Sequence, residues 1–276
     1  MDDTVKPAAV LPSCCTTFYE QAWVRDLAEE CFHPGGEALT RRTVEAMQLP
    51  SDAILADLGC GAGTSALLLA EHYGLQVLGL DRSVVNLRHA ADKAQQHSYG
   101  QRVEWVQGRA DSLPWSDASI DGVLAECTLS LFPDKPQVMN ETLRVLKPGG
   151  VMAITDMCLE GALPDDLMQA LAPWTCLSDT LSESAYRELF EHAGYRWLDG
   201  VDESHTLKEL VATLKRRLLI LAAASQLGPQ AAGMNASALS DAGLDLAGIR
   251  HWLQRFEAAV DSGVIRYVRF HVQKPA

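Results

Sequence analysis

Short apolar runs alternate with helical patterns from residue 53 to about residue 160. The strand candidates are AILADLG, LQVLGLD, VEWVQG, IDGVLAE and VMAITDM. Between them, SALLLAEHY, SVVNLRHAADKAQQH and KPQVMNETLRVLK carry apolar residues at helical spacing. Apolar runs separated by helices are typical of parallel strands that are buried on both faces. Since such connections are right-handed, the pattern predicts a doubly wound α/β fold with its site at the carboxyl ends of the strands.

The flanks of this region add helices and two more strands. FYEQAWVRDLAEECF and GEALTRRTVEAMQL predict two helices before the core, and SESAYRELFEHAGY predicts one after it. The strands YRWLDGV and VIRYVRFHVQ then enclose two long helical patterns near 205–228 and 244–262. We expect a mostly parallel seven-stranded sheet and four parts: an N-terminal helical lid (1–50), the core (51–204), a helical insertion (205–262) and the final strand (263–276).

Composition narrows the class of partner. The chain has 276 residues, and its 23 Lys and Arg against 36 Asp and Glu give a formal net charge of −13. This charge opposes binding to nucleic acid or to anionic lipid, which requires clustered positive charge. We therefore expect a small-molecule partner, with no nucleic acid and no membrane.

Location and assembly follow from weaker signals. The longest apolar helix candidate, LKRRLLILAAASQLG, is too short for a membrane span and carries two arginines, and MDDTVKP does not resemble a secretory signal. Seven cysteines without regular spacing argue against a disulfide framework, so we expect a cytoplasmic protein with reduced thiols. A leucine stripe in the C-terminal helical region is either a packing face or the surface of a homodimer.

The sequence ADLGCGAGTS places a glycine-rich turn between the first strand and the helix after it. Gly59, Gly61 and Gly63 allow a sharp turn and a close approach of the backbone to a ligand. We expect backbone donors and the positive end of the helix to face that ligand. The G-x-G-x-G spacing differs from a dinucleotide fingerprint, and the plain alternative is a tight strand-to-helix connection.

Two acidic residues follow neighbouring strands at the same predicted edge. Asp81 ends the second strand, where a carboxylate can accept hydrogen bonds from ribose hydroxyls. With Arg82 and Ser83 after it, Asp81 can instead be a helix cap. Asp111 follows the third strand, where it meets an adenine edge or serves as a turn residue.

ADLGCGAG, GLD, GRADSLPWSDASID and LRVLKPGG resemble, in order and spacing, the motifs of class I S-adenosylmethionine-dependent methyltransferases. The resemblance covers residues 40–160 and implies a Rossmann-like methyltransferase fold with S-adenosylmethionine as cofactor. It assigns the methionine part, the ribose and the adenine of the cofactor to successive strand ends. The residues it implies are Asp57, Gly59, Cys60, Gly61 and Gly63 for methionine, Asp81 with Arg82 for ribose, and Ala110 with Asp111 for adenine. Glu126, at the end of the fourth strand, contacts the cofactor, acts as a base or faces solvent.

A closer resemblance concerns the acceptor. AECTLSLFPDKPQVMNETLRVLKPGGVMAITDM and the segment from LPDDLMQALAPWTCLSD to EHAGY are similar to the corresponding part of arsenite methyltransferases. That family has a cysteine at the end of the fourth strand and another about fifty residues later, which here are Cys127 and Cys176. Its N-terminal cysteines correspond to Cys15 or Cys14 in SCCTT and to Cys31 in EECFHPGG.

The chemistry of these thiols leads to a specific hypothesis. Trivalent arsenic is soft and takes thiolate ligands, so Cys15, Cys31, Cys127 and Cys176 are the candidate ligands of an arsenite acceptor. Cysteine is also a common core residue, and Cys158 and the Cys60 side chain are assigned to packing. Two alternatives stay open: a methyltransferase for an organic molecule with structural cysteines, and a cofactor-binding protein without catalysis. His33, near Cys31, is either a site residue or an exposed loop histidine.

Overall fold

The computed structural model describes residues 33–171, 177, 179–226 and 246–276. The strands are β1 (Ile54–Leu58), β2 (Gln76–Asp81), β3 (Val103–Gln107), β4 (Ile120–Glu126), β5 (Leu146–Leu159), β6 (Arg196–Asp202) and β7 (Ile265–Gln273). The α-helices are α1 (Gly36–Met47), α2 (Thr64–Tyr73), α3 (Val84–Ala94), α4 (Lys135–Val145), α5 (Asp165–Leu171), α6 (Glu183–His192), α7 (His205–Gln226) and α8 (Leu246–Asp261). Short 3₁₀ turns occupy Ser98–Arg102 and Leu129–Leu131.

All seven strands form one sheet in the order β3-β2-β1-β4-β5-β7-β6. The first five strands are parallel, and β7 runs antiparallel between β5 and β6. The order reverses at β1, so the carboxyl ends of β1 and β4 flank the point where α/β sheets bind ligands. The seven-stranded, mostly parallel α/β prediction is confirmed, with α7 and α8 between β6 and β7 in the chain.

Local signals in the sequence explain where the helices begin and end. Ser83 caps α3 by accepting a hydrogen bond from the Asn86 N–H, and Asp134 caps α4 through the Gln137 N–H. Gly74, with φ of 68°, ends α2 in the left-handed region. These caps therefore mark where the helices that follow β1, β2 and β4 begin or end.

The fifth strand is longer than the sequence pattern predicts. The sequence predicts a helix through KPQVMNETLRVLK and a strand at VMAITDM, whereas β5 already begins at Leu146, which pairs with Ile120 of β4. The pairing changes register between Ile120 and Gly122, and Gly149 adopts a φ of 79° while its N–H donates to the Lys274 carbonyl. The glycines of this motif therefore lie inside an irregular strand.

The sheet has an apolar core on each face and a further cluster at its carboxyl edge. Val123 and Leu124, consecutive in β4, point into the two different cores because strand side chains alternate. The third group, here called the edge cluster, comes from α1, β5, α5, α7, α8 and β7. Its largest members include Leu39, Met157, Leu167, Leu207, Phe256 and Tyr267.

Parts of the helical insertion pack against the edge cluster. Leu207, the first leucine of the predicted stripe, is buried there together with Val211 of the same helix. Further along α7, Leu219 is exposed. Among the described helices, none combines the length and apolarity needed to cross a bilayer.

Candidate active site

The glycine turn connects β1 to α2 through three residues with positive φ. Gly59, Gly61 and Gly63 have φ of 80°, 52° and 78°. Residues other than glycine adopt this left-handed region only at a cost in free energy. Trp105 of β3 lies behind the turn: a Cβ at Gly63 would be 2.3 Å from its Cη2 atom. The turn therefore requires glycine at this position for both conformation and space.

The backbone donors of the turn are used within the protein. The N–H groups of Gly59 and Cys60 donate to the Leu80 carbonyl, at 2.7 and 3.1 Å, and the Gly63 N–H donates to the Cys60 carbonyl. The Gly61 N–H donates to Asp81. The expectation that these backbone donors face a ligand is therefore wrong for the four residues. The turn instead allows a ligand to approach the backbone closely, because no side chains project from its glycines.

Asp57, the residue before the last in β1, has the most unusual side-chain environment of the site. Its side chain is buried, and Oδ2 has no hydrogen-bond partner within the described part of the chain. Burial, and then the nearby Glu126, raise the pKa of the Asp57 carboxyl well above its usual range, while His33 acts in the opposite direction. A buried carboxylate oxygen without a partner fits a cationic group such as the ammonium or sulfonium of S-adenosylmethionine.

Asp81 lies at the end of β2, across from the glycine turn. Its Oδ2 accepts from the Gly61 N–H at 2.9 Å, and its Oδ1 accepts from the Ser83 N–H at 2.7 Å. Ser83, not Asp81, caps α3, so the helix-cap alternative is wrong. Arg82 points outward, and its carbonyl accepts from the Gln107 side chain.

Ala110 and Asp111 follow β3 on the same edge. Ala110 is buried, whereas Asp111 is partly exposed and paired with Arg109, whose Nε lies 2.8 Å from Oδ1. Hydrogen bonds from Arg109 lower the pKa of Asp111, and the positive charge of Arg82 contributes in the same direction. Arg82 thus contributes positive charge at the Asp111 carboxylate.

Glu126, the last residue of β4, is the centre of a buried polar cluster. Its Oε1 accepts from Thr40 Oγ1 at 2.9 Å, and its Oε2 accepts from Ser65 Oγ at 2.6 Å. The His33 Nε2 atom is 3.4 Å from Oε2. The Glu126 side chain is only 5% exposed, which rules out the solvent-facing alternative.

His33 is not an exposed loop histidine, since its side chain is 8% exposed. Its Nδ1 lies 3.1 Å from the Pro34 carbonyl, and its Nε2 lies 3.3 Å from Thr40 Oγ1. Sequence reasoning noted His33 but missed Thr40 and Ser65. The only available signal was that Ser65 stands in the first turn of the helix after the glycines.

Cys127 follows Glu126 directly and is the first residue of the loop after β4. It adopts a φ of 55°, and its N–H donates to the Thr155 carbonyl of β5 at 2.6 Å. Its partly exposed side chain packs against the edge cluster, near Tyr267. Thr128, the next residue, donates to the Leu58 carbonyl at 2.9 Å and lies over Gly59.

The other cysteines separate into two groups. Cys60 and Cys158 are buried, and burial raises the pKa of both thiols, which agrees with packing for their side chains. The predicted arsenic ligands Cys15, Cys31 and Cys176, together with Cys14, lie outside the described residues. Within the described ranges, no group of three His, Cys, Asp or Glu side chains is arranged to hold a metal ion.

Comparison with known proteins agrees with this geometry. A methyltransferase domain family matches residues 50–194. The methyltransferase GfsG of Streptomyces halstedii is 34% identical over 173 residues, which is 61% of this chain and 62% of GfsG. An arsenite methyltransferase of Halobacterium salinarum is 30% identical over 153 residues, which is 54% of this chain and 39% of that protein.

The fold is shared with solved methyltransferases. The phosphoethanolamine N-methyltransferase 2 of Haemonchus contortus, in complex with S-adenosyl-L-methionine, superposes with a TM-score of 0.76 at 18% identity, covering 91% of this chain and 56% of that chain. The family match covers more than half of the chain, and the ordered motifs lie at the strand ends where that fold binds its cofactor. The protein is therefore a member of the class I S-adenosylmethionine-dependent methyltransferases, with S-adenosylmethionine as its cofactor.

Proposed function

We propose that the protein transfers the methyl group of S-adenosylmethionine to a small organic molecule with a largely apolar surface, bound beside Cys127. The observation that carries the cofactor half of the proposal is the unpartnered, buried Oδ2 of Asp57 at the glycine turn. The observation that carries the acceptor half is the apolar edge cluster next to the end of β4.

On the cofactor side, we assign the positively charged methionine end to Asp57, and the ribose to Asp81. Ala110 and Asp111 would border the adenine, while Gly59 to Gly63 leave room for the chain of the cofactor. The bound cofactor supplies an activated methyl group on a positively charged sulfur. Glu126 raises the pKa of Asp57 in the free protein and adds a second negative charge that attracts the same cation, while Thr40 and Ser65 hold the Glu126 carboxylate in place.

On the acceptor side, Cys127 packs against a cluster that is apolar. Partly buried side chains from the loop after β4, α5 and α8 pack against the edge cluster. They are Cys127, Leu131, Met168, Trp252 and Leu253. A dry apolar wall suits an uncharged organic molecule and excludes water from the methyl group, so that rate comes mainly from positioning.

Trivalent arsenic is the second candidate acceptor. It is favoured by the position of Cys127, which is the partly exposed thiol among the three described cysteines and directly follows the carboxylate cluster. The relative from Halobacterium salinarum supports the same acceptor. On this hypothesis, Cys127 acts with Cys176, Cys31 and Cys15 as a thiolate ligand.

A transfer assay with radiolabelled S-adenosylmethionine separates these acceptors. Wild type, Cys127→Ser and the control Cys158→Ala would be offered arsenite with a reducing thiol, and separately a panel of phenols, quinols and amines. For an organic acceptor, we expect label transfer that all three proteins retain. Transfer to arsenite that is lost only in Cys127→Ser would instead establish the metalloid acceptor. Cofactor binding without transfer to any acceptor would favour a non-catalytic protein.

A further inference from the structure

A second buried carboxylate lies close to Cys127 but outside the cofactor site. Asp156 of β5 is fully buried. Its Oδ2 accepts from the Ser130 N–H at 2.7 Å, and its Oδ1 accepts from Ser130 Oγ at 2.8 Å and from the Met157 N–H at 2.7 Å. One side chain therefore holds both the turn after β4 and the end of β5.

The turn that Asp156 holds carries the wall beside Cys127. Ser130 is the middle residue of the 3₁₀ turn Leu129–Leu131, and Leu131 packs with Cys127 against the edge cluster. Lys135, at the start of α4, closes the turn from the other side by donating to the Ser130 carbonyl at 3.0 Å. Met157, bonded to Asp156 through its backbone, is itself a buried member of the edge cluster.

The charges around Asp156 come from several elements. Lys135 of α4 attracts its carboxylate, and Asp179 also faces Lys135. Tyr267 of β7 lies within electrostatic range of Asp156, as does Cys158. Burial outweighs these partners and the hydrogen bonds, and raises the pKa of Asp156 to about 6. A carboxylate in so costly a position is expected to order the groups around it.

We infer that Asp156 is a positioning residue of the methyl-transfer reaction: through Ser130 it fixes the turn that presents Cys127 and Leu131 to the acceptor. The inference rests on the proposed function in one respect, the binding of the acceptor beside Cys127. Asp156 acts through the turn and does not touch the cofactor cluster around Glu126.

The test uses Cys127 itself as a reporter, so that it does not depend on knowing the acceptor. Wild type, Asp156→Asn and Ser130→Ala would be treated with iodoacetamide, and the alkylation of each cysteine would be followed by peptide mass spectrometry. Asp134→Asn is the matched control, since it makes the same Asp-to-Asn change at the end of the loop that Asp156 holds, and asparagine also caps helices. Cys158, fully buried in β5, reports global unfolding within each sample.

We expect Asp156→Asn to raise the alkylation rate of Cys127 about tenfold, because the turn loses hydrogen bonds to a charged acceptor. Ser130→Ala, which keeps the Ser130 N–H, should give a smaller increase. Cys158 should stay protected, and the affinity for S-adenosylhomocysteine should stay within about twofold of wild type. In wild type, the alkylation rate plotted against pH should show an additional inflection near the pKa of Asp156, about 6, that is absent in Asp156→Asn.

Three results would overturn the inference. The first is a Cys127 that is no more reactive in Asp156→Asn than in Asp134→Asn. The second is a Cys158 that becomes reactive together with Cys127. The third is an affinity for S-adenosylhomocysteine that falls by the same factor by which the reactivity of Cys127 rises. The last two would make Asp156 a residue of general stability. A failed transfer assay would not change the alkylation rates or the affinity for S-adenosylhomocysteine. The proposed function and the role of Asp156 can therefore be rejected independently of each other.

Discussion

At the scale of single residues, the glycine turn depends on what lies behind it. Trp105 contacts the turn at Gly63 and also lies against Gly79 of β2, where an added Cβ would be 2.8 Å from the ring. The indole is thus enclosed by two glycines and has little room to move. Gly74 has a similar φ of 68°, but nothing lies within 4 Å of its Cβ position.

Alanine substitutions at Gly63 and Gly74 separate the free-energy cost of backbone strain from the cost of steric overlap. Gly74→Ala should cost about 1 kcal/mol of unfolding free energy, the strain of a left-handed residue alone. Gly63→Ala adds the overlap with Trp105 and should cost about 3 kcal/mol, with loss of cofactor binding. Urea unfolding and cofactor titration of both variants would measure this. Equal costs for the two variants would contradict the role of Trp105.

The raised pKa of Asp156 predicts that the free energy of unfolding depends on pH. Its pKa is about 6 in the folded protein against 3.8 for an ordinary aspartate, so the folded state binds the proton more tightly. The contribution to stability is therefore full below about pH 4 and is lost as pH rises through about 6.

Asp156→Asn removes this titration. The stability of wild type relative to the variant should fall by about 2–3 kcal/mol between about pH 4 and pH 7.5, at 1.36 kcal/mol per pKa unit. Urea unfolding of both proteins across this range provides the measurement. Parallel stability curves would show that Asp156 does not titrate as described.

Some site residues were readable from the sequence and others were not. Asp57, Asp81 and the glycines stand at strand ends, a position that the alternating pattern reveals. Thr40 and Glu126 are 86 residues apart, so their hydrogen bond depends on how α1 packs over the sheet. No local pattern encodes that packing, and a buried polar cluster of this kind appears only in three dimensions.

At the scale of elements, α4 holds the loop that follows β3. Arg144 of α4 donates to the carbonyls of Leu113 and Trp115, at 3.0 and 2.7 Å, and pairs with Glu141. Glu141 in turn accepts from the Leu113 N–H at 2.8 Å. The loop from Ala110 onwards is therefore fixed by a helix that itself makes no contact attributed to the cofactor.

Loss of Arg144 should loosen this loop. Arg144→Ala should lower the unfolding free energy by about 1–3 kcal/mol, because two backbone carbonyls lose a charged donor. It should also weaken cofactor binding about threefold to tenfold through the adenine-side loop. Lys208→Ala is the control, since Lys208 forms an exposed pair with Asp261 and should change stability by less than about 0.5 kcal/mol.

Thermal unfolding and cofactor titration of the two variants would check this prediction. Unchanged cofactor affinity in Arg144→Ala, with reduced stability, would show that the loop does not border the cofactor. Equal stability losses in both variants would show that Arg144 is an ordinary surface arginine.

The elements themselves were largely predictable, while their arrangement was less so. The strand and helix patterns locate β1 to β7 within a few residues, because apolar runs and caps are local signals. The early start of β5 was not predicted, since it arises from the pairing of Leu146 with Ile120 across an irregularity. The position of β7 between β5 and β6 likewise follows from packing rather than from chain order.

At the scale of the whole molecule, negative charge is concentrated at the edge to which we assign the positively charged end of the cofactor. The chain has a net charge of −13, and Asp57, Glu126 and Asp81 lie near one another at the carboxyl edge. A cytoplasmic location, a homodimer and the lack of nucleic-acid and membrane partners remain predictions of the sequence.

The raised pKa of Asp57 predicts how cofactor affinity depends on pH. The carboxyl must be ionised to hold a cation, so affinity should be full above its raised pKa and should fall as pH is lowered through it. Asp57→Asn should remove most of this dependence. Titrations of S-adenosylmethionine at several pH values would show it, and a flat profile in wild type would contradict the role of Asp57.

The most direct test of the account is calorimetric titration of S-adenosylmethionine into wild type, Asp57→Asn and the exposed control Asp92→Asn. Wild type and the control should bind one equivalent, and Asp57→Asn should bind at least about tenfold more weakly while remaining folded, because burial already favours an uncharged side chain there. Equal affinity in wild type and Asp57→Asn, or no binding in wild type, would contradict the assignment of this edge as the cofactor site.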